Sequence, residues 1–141
     1  MTEKMPKPDD VVFGYRIVRV IGKGGMGAVF EGVDEKTGER AAIKVLHAQL
    51  SQDPENMARF LNEGKAISAL NHPGIVRLLG SGQLDGGGCF IAMEYIDGET
   101  LSAKLKREKR LGRAGLRMAS QIASALQTAH RRNIIHRDIK P

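Results

Sequence analysis

Three glycines near the N-terminus have the spacing of a phosphate-binding backbone. Gly22, Gly24 and Gly27 follow the pattern G-x-G-x-x-G, and the apolar run that comes later in the chain ends on Lys44. Glycine has no Cβ, so a backbone that is dense in it can fold over a ligand that side chains would keep away. We therefore expect a polyphosphate ligand beside these residues.

The elements around the glycines distinguish between two kinds of phosphate loop. In dinucleotide-binding proteins the glycine pattern closes a strand and opens a helix. Here residues 28–33 alternate like a second strand, Asp34 to Gly38 supply turn chemistry, and Arg40 to Leu46 resume a strand. The other phosphate loop, G-x-x-x-x-G-K-[ST], does not occur in the sequence. The pattern therefore predicts an antiparallel flap of glycine-rich backbone.

Two motifs make the chain resemble the protein kinase family. The flap followed by Ala41-Ala42-Ile43-Lys44 is similar to the arrangement with which protein kinases cover ATP. The terminal residues His136-Arg137-Asp138-Ile139-Lys140-Pro141 resemble the catalytic loop H-R-D-x-K-P-x-N of the Ser/Thr branch. The tip Gly24-Gly25-Met26-Gly27 and the phrases NHPGIV and MEYIDGETL look most like bacterial members of the eukaryotic-like Ser/Thr kinases. The resemblance begins at about Tyr15 and covers the N-terminal half of a kinase domain.

The resemblance implies four catalytic residues. Asp138 would orient the substrate hydroxyl and accept its proton, and Lys140 would offset charge on the transferring γ-phosphate. Glu63 would hold Lys44 against the α- and β-phosphates, because an unpaired buried ammonium is costly. Arg137 would be available to pair with a phosphate of the activation loop. The alternatives are that Glu63 is one more exposed helical acid and that the terminal motif is a solvated tail.

The resemblance also implies an adenine site. Met93 would be the gatekeeper, the carbonyl of Glu94 would accept from the adenine amino group, and the backbone of Ile96 would donate to the ring. An apolar roof over the base would come from Ile21, Val29 and Ala42, although their spacing alone fits plain core packing equally well. The expected ATP contacts are therefore Ile21, Gly22, Lys23, Gly24, Gly25, Met26, Gly27, Ala28, Val29, Ala42, Lys44, Met93, Glu94 and Ile96.

The expected fold class is α+β. A five-stranded antiparallel sheet and one long helix would form a kinase small lobe, followed by the first helices of a truncated large lobe. The expected domains are a flexible lead-in at 1–14, the small lobe at 15–94, and the hinge with the start of the large lobe at 95–141. Periodicity and turn signals place the first strand at Val11 to Val20 and later strands at Ile75 to Ser81 and Cys89 to Met93. They place helices from Pro54 to about Leu70, from Leu101 to about Glu108 and from Gly112 to Arg132.

The motifs that bind Mg²⁺ in kinases are not among these 141 residues. ATP and Mg²⁺ are the expected cofactors, with the metal ligands beyond the C-terminus, so we expect little phosphotransferase activity from this chain alone. Two alternatives remain: a nucleotide-binding or interaction fragment that associates with itself or with a kinase, and a partial gene product without a function of its own. The substrate expected of the family is a protein with Ser or Thr hydroxyls.

Composition and charge bear on the possible partners and the cellular location of the chain. The net charge is +6, and a basic run extends from Lys104 to Arg117 with Glu108 as its only acid. No aromatic residue is interleaved in this run for base stacking, so a solvated helix face is favoured over a nucleic-acid partner. The single cysteine, Cys89, cannot form an internal disulfide. The polar N-terminus lacks a signal-peptide core and no apolar run is long enough for a membrane span, so we expect a cytoplasmic protein.

Overall fold

The structure is a computed structural model that describes residues 5–137 and 139–141. Its strands are β1 (Val11–Val12), β2 (Tyr15–Lys23), β3 (Gly27–Asp34), β4 (Arg40–Leu46), β5 (Leu78–Gln83) and β6 (Cys89–Glu94). Its helices are α1 (Ala48–Ser51), α2 (Pro54–Ser68), α3 (Leu101–Glu108) and α4 (Gly112–His130). The strands form one antiparallel sheet in the order β1-β2-β3-β4-β6-β5, so the predicted α+β class is confirmed.

Six strands form the sheet in the described part of the chain, whereas the sequence predicted five. The predicted first strand is divided in two because Phe13 and Gly14 have φ values of 52° and 80°, in the left-handed region that extended chains do not use. The chain therefore turns back at these residues, and Val12 of β1 pairs with Tyr15 of β2. The strand predicted from Arg40 to Leu46 has the bounds of β4.

The two faces of the sheet differ in composition. The outer face carries Ala28, Phe30, Ala41, Ile43 and Val45, which are all buried in one apolar cluster with residues of β1, β2 and β6. Side chains alternate across a strand, so Val29, Glu31, Ala42 and Lys44 lie on the opposite, inner face. The outer face therefore holds the main core, while the inner face carries charged groups among apolar ones.

Helix α2 packs near the inner-face residues at the ends of β4 and β6. Asp53 directly precedes the helix, and its carboxylate accepts a hydrogen bond of 2.9 Å from the backbone N–H of Glu55 in the first turn. Phe60 is buried in a second cluster with Leu46, Cys89 and Ile91. A Cβ at Gly64 would stand 3.1 Å from Cδ1 of Ile91, so the glycine that weakens the helix interior allows close approach to β6. The helix ends at Ser68, slightly before the predicted Leu70.

The described residues form two compact units, residues 5–68 with 76–96, and residues 69–75 with 97–137 and 139–141. In the second unit, the side chain of Thr100 caps α3 by accepting from the backbone N–H of Ala103 at 3.1 Å. Helix α4 ends at His130, before the predicted Arg132. Asn133 then adopts a φ of 59°, and the N–H of Ile134 donates to Ala129 at 3.0 Å. This left-handed residue closes the helix.

The basic run is partly neutralised along α3. Lys104 pairs with Glu108 at 2.9 Å, one helical turn away, and Arg107 pairs with both Glu99 and Glu108. These pairs suit a helix face in contact with water. Within residues 5–137 and 139–141, no helix combines the length and the apolar character needed to cross a membrane.

Candidate functional site

The glycine turn between β2 and β3 is closed by its own backbone. The N–H of Gly24 donates to the carbonyl of Gly27 at 2.9 Å, and the N–H of Gly27 donates back at 3.4 Å. The N–H of His47 donates to the carbonyl of Met26 at 3.0 Å, which connects the tip of the turn to the end of β4. The predicted flap is therefore a tight turn anchored at its tip.

The fold requires glycine at one of these positions but not at the others. A Cβ at Gly27 would lie 1.9 Å from the carbonyl oxygen of Val45, so the fold itself requires glycine there. A Cβ at Gly22, Gly24 or Gly25 would meet no atom within 4 Å, and none of the three has a positive φ. Packing and backbone conformation thus give no reason for glycine at these three positions. Their bare backbone leaves room for a group from outside the protein.

Three of the residues predicted to contact ATP share the inner face. Val29 of β3 pairs in register with Lys44 of β4, and Ala42 of β4 pairs with Met93 of β6. Val29, Ala42 and Lys44 are all partly exposed. Ala28 differs, because its side chain is buried in the outer-face cluster. Only the backbone of Ala28 could therefore contact a ligand on the inner face.

The surroundings of Lys44 differ from the prediction. Its Nζ lies 5.7 Å from the centroid of the Phe60 ring. Among the ion pairs of the described residues, none joins Lys44 to Glu63, and Glu63 is exposed on α2. The predicted pair is therefore not formed in this structure. Glu63 follows Phe60 by about one helical turn, which places the two side chains on neighbouring parts of the helix surface.

The end of β6 leads into the segment predicted to recognise adenine. Met93 is partly buried against the cluster that contains Phe60. The N–H of Glu94 donates to the carbonyl of Arg77 at 2.9 Å, and its carboxylate accepts from the N–H of Arg77 at 2.8 Å. Ile96 is 68% exposed. The role predicted for Glu94 concerns its carbonyl oxygen, a different group from the two that Arg77 engages.

A charged cluster that was not predicted from the sequence lies next to this segment. Glu31, only 6% exposed, accepts from Arg19 at 2.6 Å and from Arg40 at 2.8 Å. The Cζ of Arg40 lies 3.9 Å from the centroid of the Tyr95 ring, and Arg19 donates to the Tyr95 hydroxyl at 3.2 Å. An acid within the apolar strand β3 was the available signal, because a buried carboxylate needs a counter-charge.

The two arginines determine the charge state of Glu31. Burial acts to raise the pKa of its carboxyl group, but the hydrogen bonds from Arg40 and Arg19 outweigh burial and hold that pKa below its usual value. The hydrogen bond and charge of Glu31 raise the pKa of Arg19, and the nearby Tyr95 raises it further by a smaller amount. The cluster is therefore fully ionised at neutral pH.

A cavity of about 580 Å³ lies behind the glycine turn. Its walls include Val20, Ala28 and Phe30 together with residues 5–7. Because Ala28 and Phe30 belong to the outer face, this cavity is on the opposite side of the sheet from Lys44. It is therefore separate from the surface formed by Val29, Ala42 and Lys44.

The terminal motif is described only in part. Asp138 lies outside the described residues. Arg137 has a φ of 67°, and Lys140 is exposed and belongs to no helix or strand. In the portion of the chain that the structure describes, no group of three or more His, Cys, Asp or Glu side chains could hold a metal ion.

The sequence matches a known protein family over most of its length. A family model described as "Protein kinase domain" matches residues 15–141. The chain belongs to the protein kinase family. The resemblance recognised from the flap, A-A-I-K and the terminal motif is thereby confirmed.

Two similar proteins of known name are bacterial serine/threonine-protein kinases. It is 45% identical over 132 residues to the serine/threonine-protein kinase PknA of Mycobacterium tuberculosis, covering 90% of this chain and 31% of PknA. It is 42% identical over 132 residues to the serine/threonine-protein kinase pkn3 of Myxococcus xanthus, covering 93% of this chain and 24% of pkn3. This kinase chain therefore spans about a third or less of the length of these relatives.

A solved structure shows the same architecture. The crystal structure of the PknI kinase domain of M. tuberculosis superposes with a TM-score of 0.79 at 30% identity. The match covers 98% of this chain and 57% of that chain. The fold is thus that of a kinase small lobe followed by the start of the large lobe.

Proposed function

We propose that this kinase chain binds ATP between the glycine turn and the inner face of the sheet. The protein kinase reaction would then transfer the γ-phosphoryl group to a Ser or Thr hydroxyl of a protein substrate. The observation that carries the proposal is the contrast among the glycines. The fold requires glycine at Gly27, whereas Gly22, Gly24 and Gly25 are glycine where neither packing nor φ demands it. A ligand that approaches the backbone closely explains all three.

The phosphates would lie beside the turn and Lys44. The N–H groups of Gly24 and Gly27 donate within the turn, so phosphate oxygens would accept from other backbone N–H groups of the turn. An ammonium group suits the α- and β-phosphates. Lys44 is well placed for this role because Val29, its partner in register, follows the turn directly. Glu63 would supply the counter-charge for Lys44 after a change in side-chain conformation on α2.

The adenine ring would lie further along the same face. Val29 and Ala42 offer apolar side chains that are partly exposed beside Lys44, and Ile21 would complete the roof. The carbonyl of Glu94 and the backbone of Ile96 would provide the polar contacts, with Met93 limiting the depth of the site. The 15–94 segment would act as the small lobe and 95–141 as the hinge with the start of the large lobe, after a lead-in at 1–14.

Phosphoryl transfer would use the terminal motif. Asp138 would orient the substrate hydroxyl and accept its proton as the hydroxyl oxygen bonds to the γ-phosphorus and ADP leaves. Lys140 would offset negative charge on the transferring group. Mg²⁺ would neutralise phosphate charge in such a reaction, but no group of three or more His, Cys, Asp or Glu side chains among the described residues could hold it. Because the reaction consumes ATP, we place it in the cytoplasm.

Titration of the purified chain with ATP tests the binding proposal. We expect Lys44→Met to weaken binding by at least about tenfold, because it removes a charge-assisted contact to the phosphates. Lys36→Met is the matched control, since Lys36 is exposed in the turn between β3 and β4. Equal affinities of the wild type and Lys44→Met would contradict the proposal.

A second assay tests transfer separately from binding. The chain is incubated with γ-labelled ATP, Mg²⁺ and a basic protein substrate, and Asp138→Asn serves as the control. We expect little labelling from the chain alone, and any labelling should disappear in Asp138→Asn. ATP binding without transfer would instead support the nucleotide-binding fragment, and labelling that survives in Asp138→Asn would contradict the role of Asp138.

A further inference from the structure

We propose that Glu31 is a positioning residue that holds the segment Glu94-Tyr95-Ile96 in place for adenine. It would act through Arg19 and Arg40, both of which touch Tyr95. This inference rests on the proposed function, because it assigns a purpose to a cluster beside the proposed adenine site.

One buried carboxylate connects most of the sheet to the segment after it. Arg19 lies on β2, Glu31 on β3 and Arg40 on β4, while Tyr95 follows the last residue of β6. The two oxygens of Glu31 are divided between the arginines, with Oε2 accepting from Arg19 and Oε1 from Arg40. Glu31, Arg19 and Arg40 together form what we call the clamp. Glu31 joins the two arginines, and both arginines contact Tyr95.

The arginines need the carboxylate to keep these positions. Their side chains are 57% and 40% exposed, and long exposed side chains lose much rotational freedom when they are fixed. Two guanidinium groups beside one ring also repel each other unless an anion lies between them. Glu31 supplies that anion and orients both planar groups. Arg40 can then stack on the ring of Tyr95 while Arg19 donates to its hydroxyl.

Tyr95 lies between the two residues whose backbone groups are proposed to contact adenine, so the clamp acts on the adenine end of the site. The peptide neighbours of Tyr95 are Glu94 and Ile96, whose backbone groups are the proposed adenine contacts. A ring held on its face and at its hydroxyl fixes the backbone between those two groups. Loss of the clamp should therefore affect the adenine end of the site and leave the phosphate end, at the glycine turn and Lys44, unchanged.

A second Arg–Glu pair serves as a control for the effect of removing a carboxylate charge alone. Arg16 of β2 pairs with Glu35 at 2.9 Å, and these side chains are 58% and 39% exposed. This second Arg–Glu pair also links the end of β3 to β2, but the structure shows no contact between it and Tyr95 within the described residues. Glu31→Gln and Glu35→Gln therefore remove the same charge from two pairs, of which only one touches the segment.

The first experiment measures the clamp without nucleotide. The sequence has two tyrosines and no tryptophan, so Tyr15→Phe leaves Tyr95 as the only tyrosine fluorophore. In that background we expect Glu31→Gln to increase acrylamide quenching of Tyr95 about twofold, because the ring loses the cover of Arg40. Glu35→Gln should leave the quenching unchanged. Equal quenching in both variants would overturn the proposal.

The second experiment separates the two ends of the site. We expect Glu31→Gln to weaken ATP binding about tenfold, comparable to the loss of one charge-assisted hydrogen bond, and to leave the affinity for inorganic tripolyphosphate unchanged. Glu35→Gln should change neither affinity. An equal loss for both ligands would indicate general damage to the fold and would overturn a positioning role. If the wild type binds no ATP, the proposed function fails, and the quenching measurement still decides whether Glu31 holds Tyr95.

Discussion

The two faces of the sheet are built from neighbouring residues of the same strands but serve different purposes. Along β3 and β4, Phe30, Ile43 and Val45 point to the outer face and are almost completely buried. Their immediate neighbours Val29 and Lys44 point to the inner face and remain partly exposed. The outer face therefore contributes burial of apolar surface, whereas the inner face keeps charged and apolar groups accessible.

This difference explains why the charged residues of the sheet lie where they do. A buried charge needs a partner, and the inner face provides one for Glu31 through Arg19 and Arg40. On the outer face, the clustered residues are apolar. The stability of the sheet and the proposed binding of ATP should consequently respond to different substitutions.

The largest effect should come from truncating the outer face. Phe30 is 2% exposed, so Phe30→Ala should lower the free energy of unfolding by about 3–5 kcal/mol. Val29→Ala, one residue away on the inner face, should cost about 1 kcal/mol, because the side chain is only partly buried. Urea denaturation at neutral pH measures both. Equal losses would break the distinction between the faces.

The glycine turn should show the next largest effect. Gly27→Ala should lower the free energy of unfolding by about 1–3 kcal/mol, because the new Cβ would overlap the carbonyl of Val45 and force the strands apart. Gly25→Ala should change it by less than about 0.5 kcal/mol, because that Cβ would point into open space. Thermal denaturation compares the two variants. In an ATP titration, by contrast, Gly25→Ala should weaken binding, because the added methyl group faces the proposed ligand.

Acid should produce the smallest effect. The pKa of Glu31 is lower in the folded state than its ordinary value of 4.5, so its ion pairs stabilise the fold above that value. This contribution should be lost as pH falls through the lower, folded pKa. Because both arginines are partly exposed, we expect a contribution of about 1 kcal/mol or less. Urea midpoints at pH 7 and pH 3 should therefore differ less in Glu31→Gln than in the wild type, and an equal difference would contradict the assignment.

The regular elements could be predicted because their signals are local. Strand β4 was predicted to its ends from alternation after a turn, and α3 begins at Leu101 because the side chain of Thr100 caps its first turn. Strand β1 could not be predicted, since two residues form a strand only through pairing, and the positive φ of Phe13 leaves no sequence signal. Fold class and family were therefore readable from the sequence, whereas the short strand depends on tertiary structure.

The site residues inferred from the sequence stay a prediction, and the contacts among them could not be predicted from the sequence. The sequence cannot distinguish Gly27 from Gly24, because the difference arises from how closely β4 approaches each one. The clamp of Glu31 depends on the register of three strands, which places residues distant in sequence beside Tyr95. Lys44 and Glu63 are not paired in this structure, because complementary charges in the right order do not guarantee contact, and their pairing around a nucleotide stays a prediction.

Methyl NMR during an ATP titration can show which face of the sheet binds the nucleotide, because each methyl group reports on one face of a strand. We expect shifts for the methyl groups of Val29 and Ala42 on the inner face, with little change for Ala41 and Val45 on the outer face. Lys44→Met should reduce the inner-face shifts at the same ATP concentration. Shifts of equal size on both faces, or shifts confined to Ala41 and Val45, would contradict a nucleotide site on the inner face.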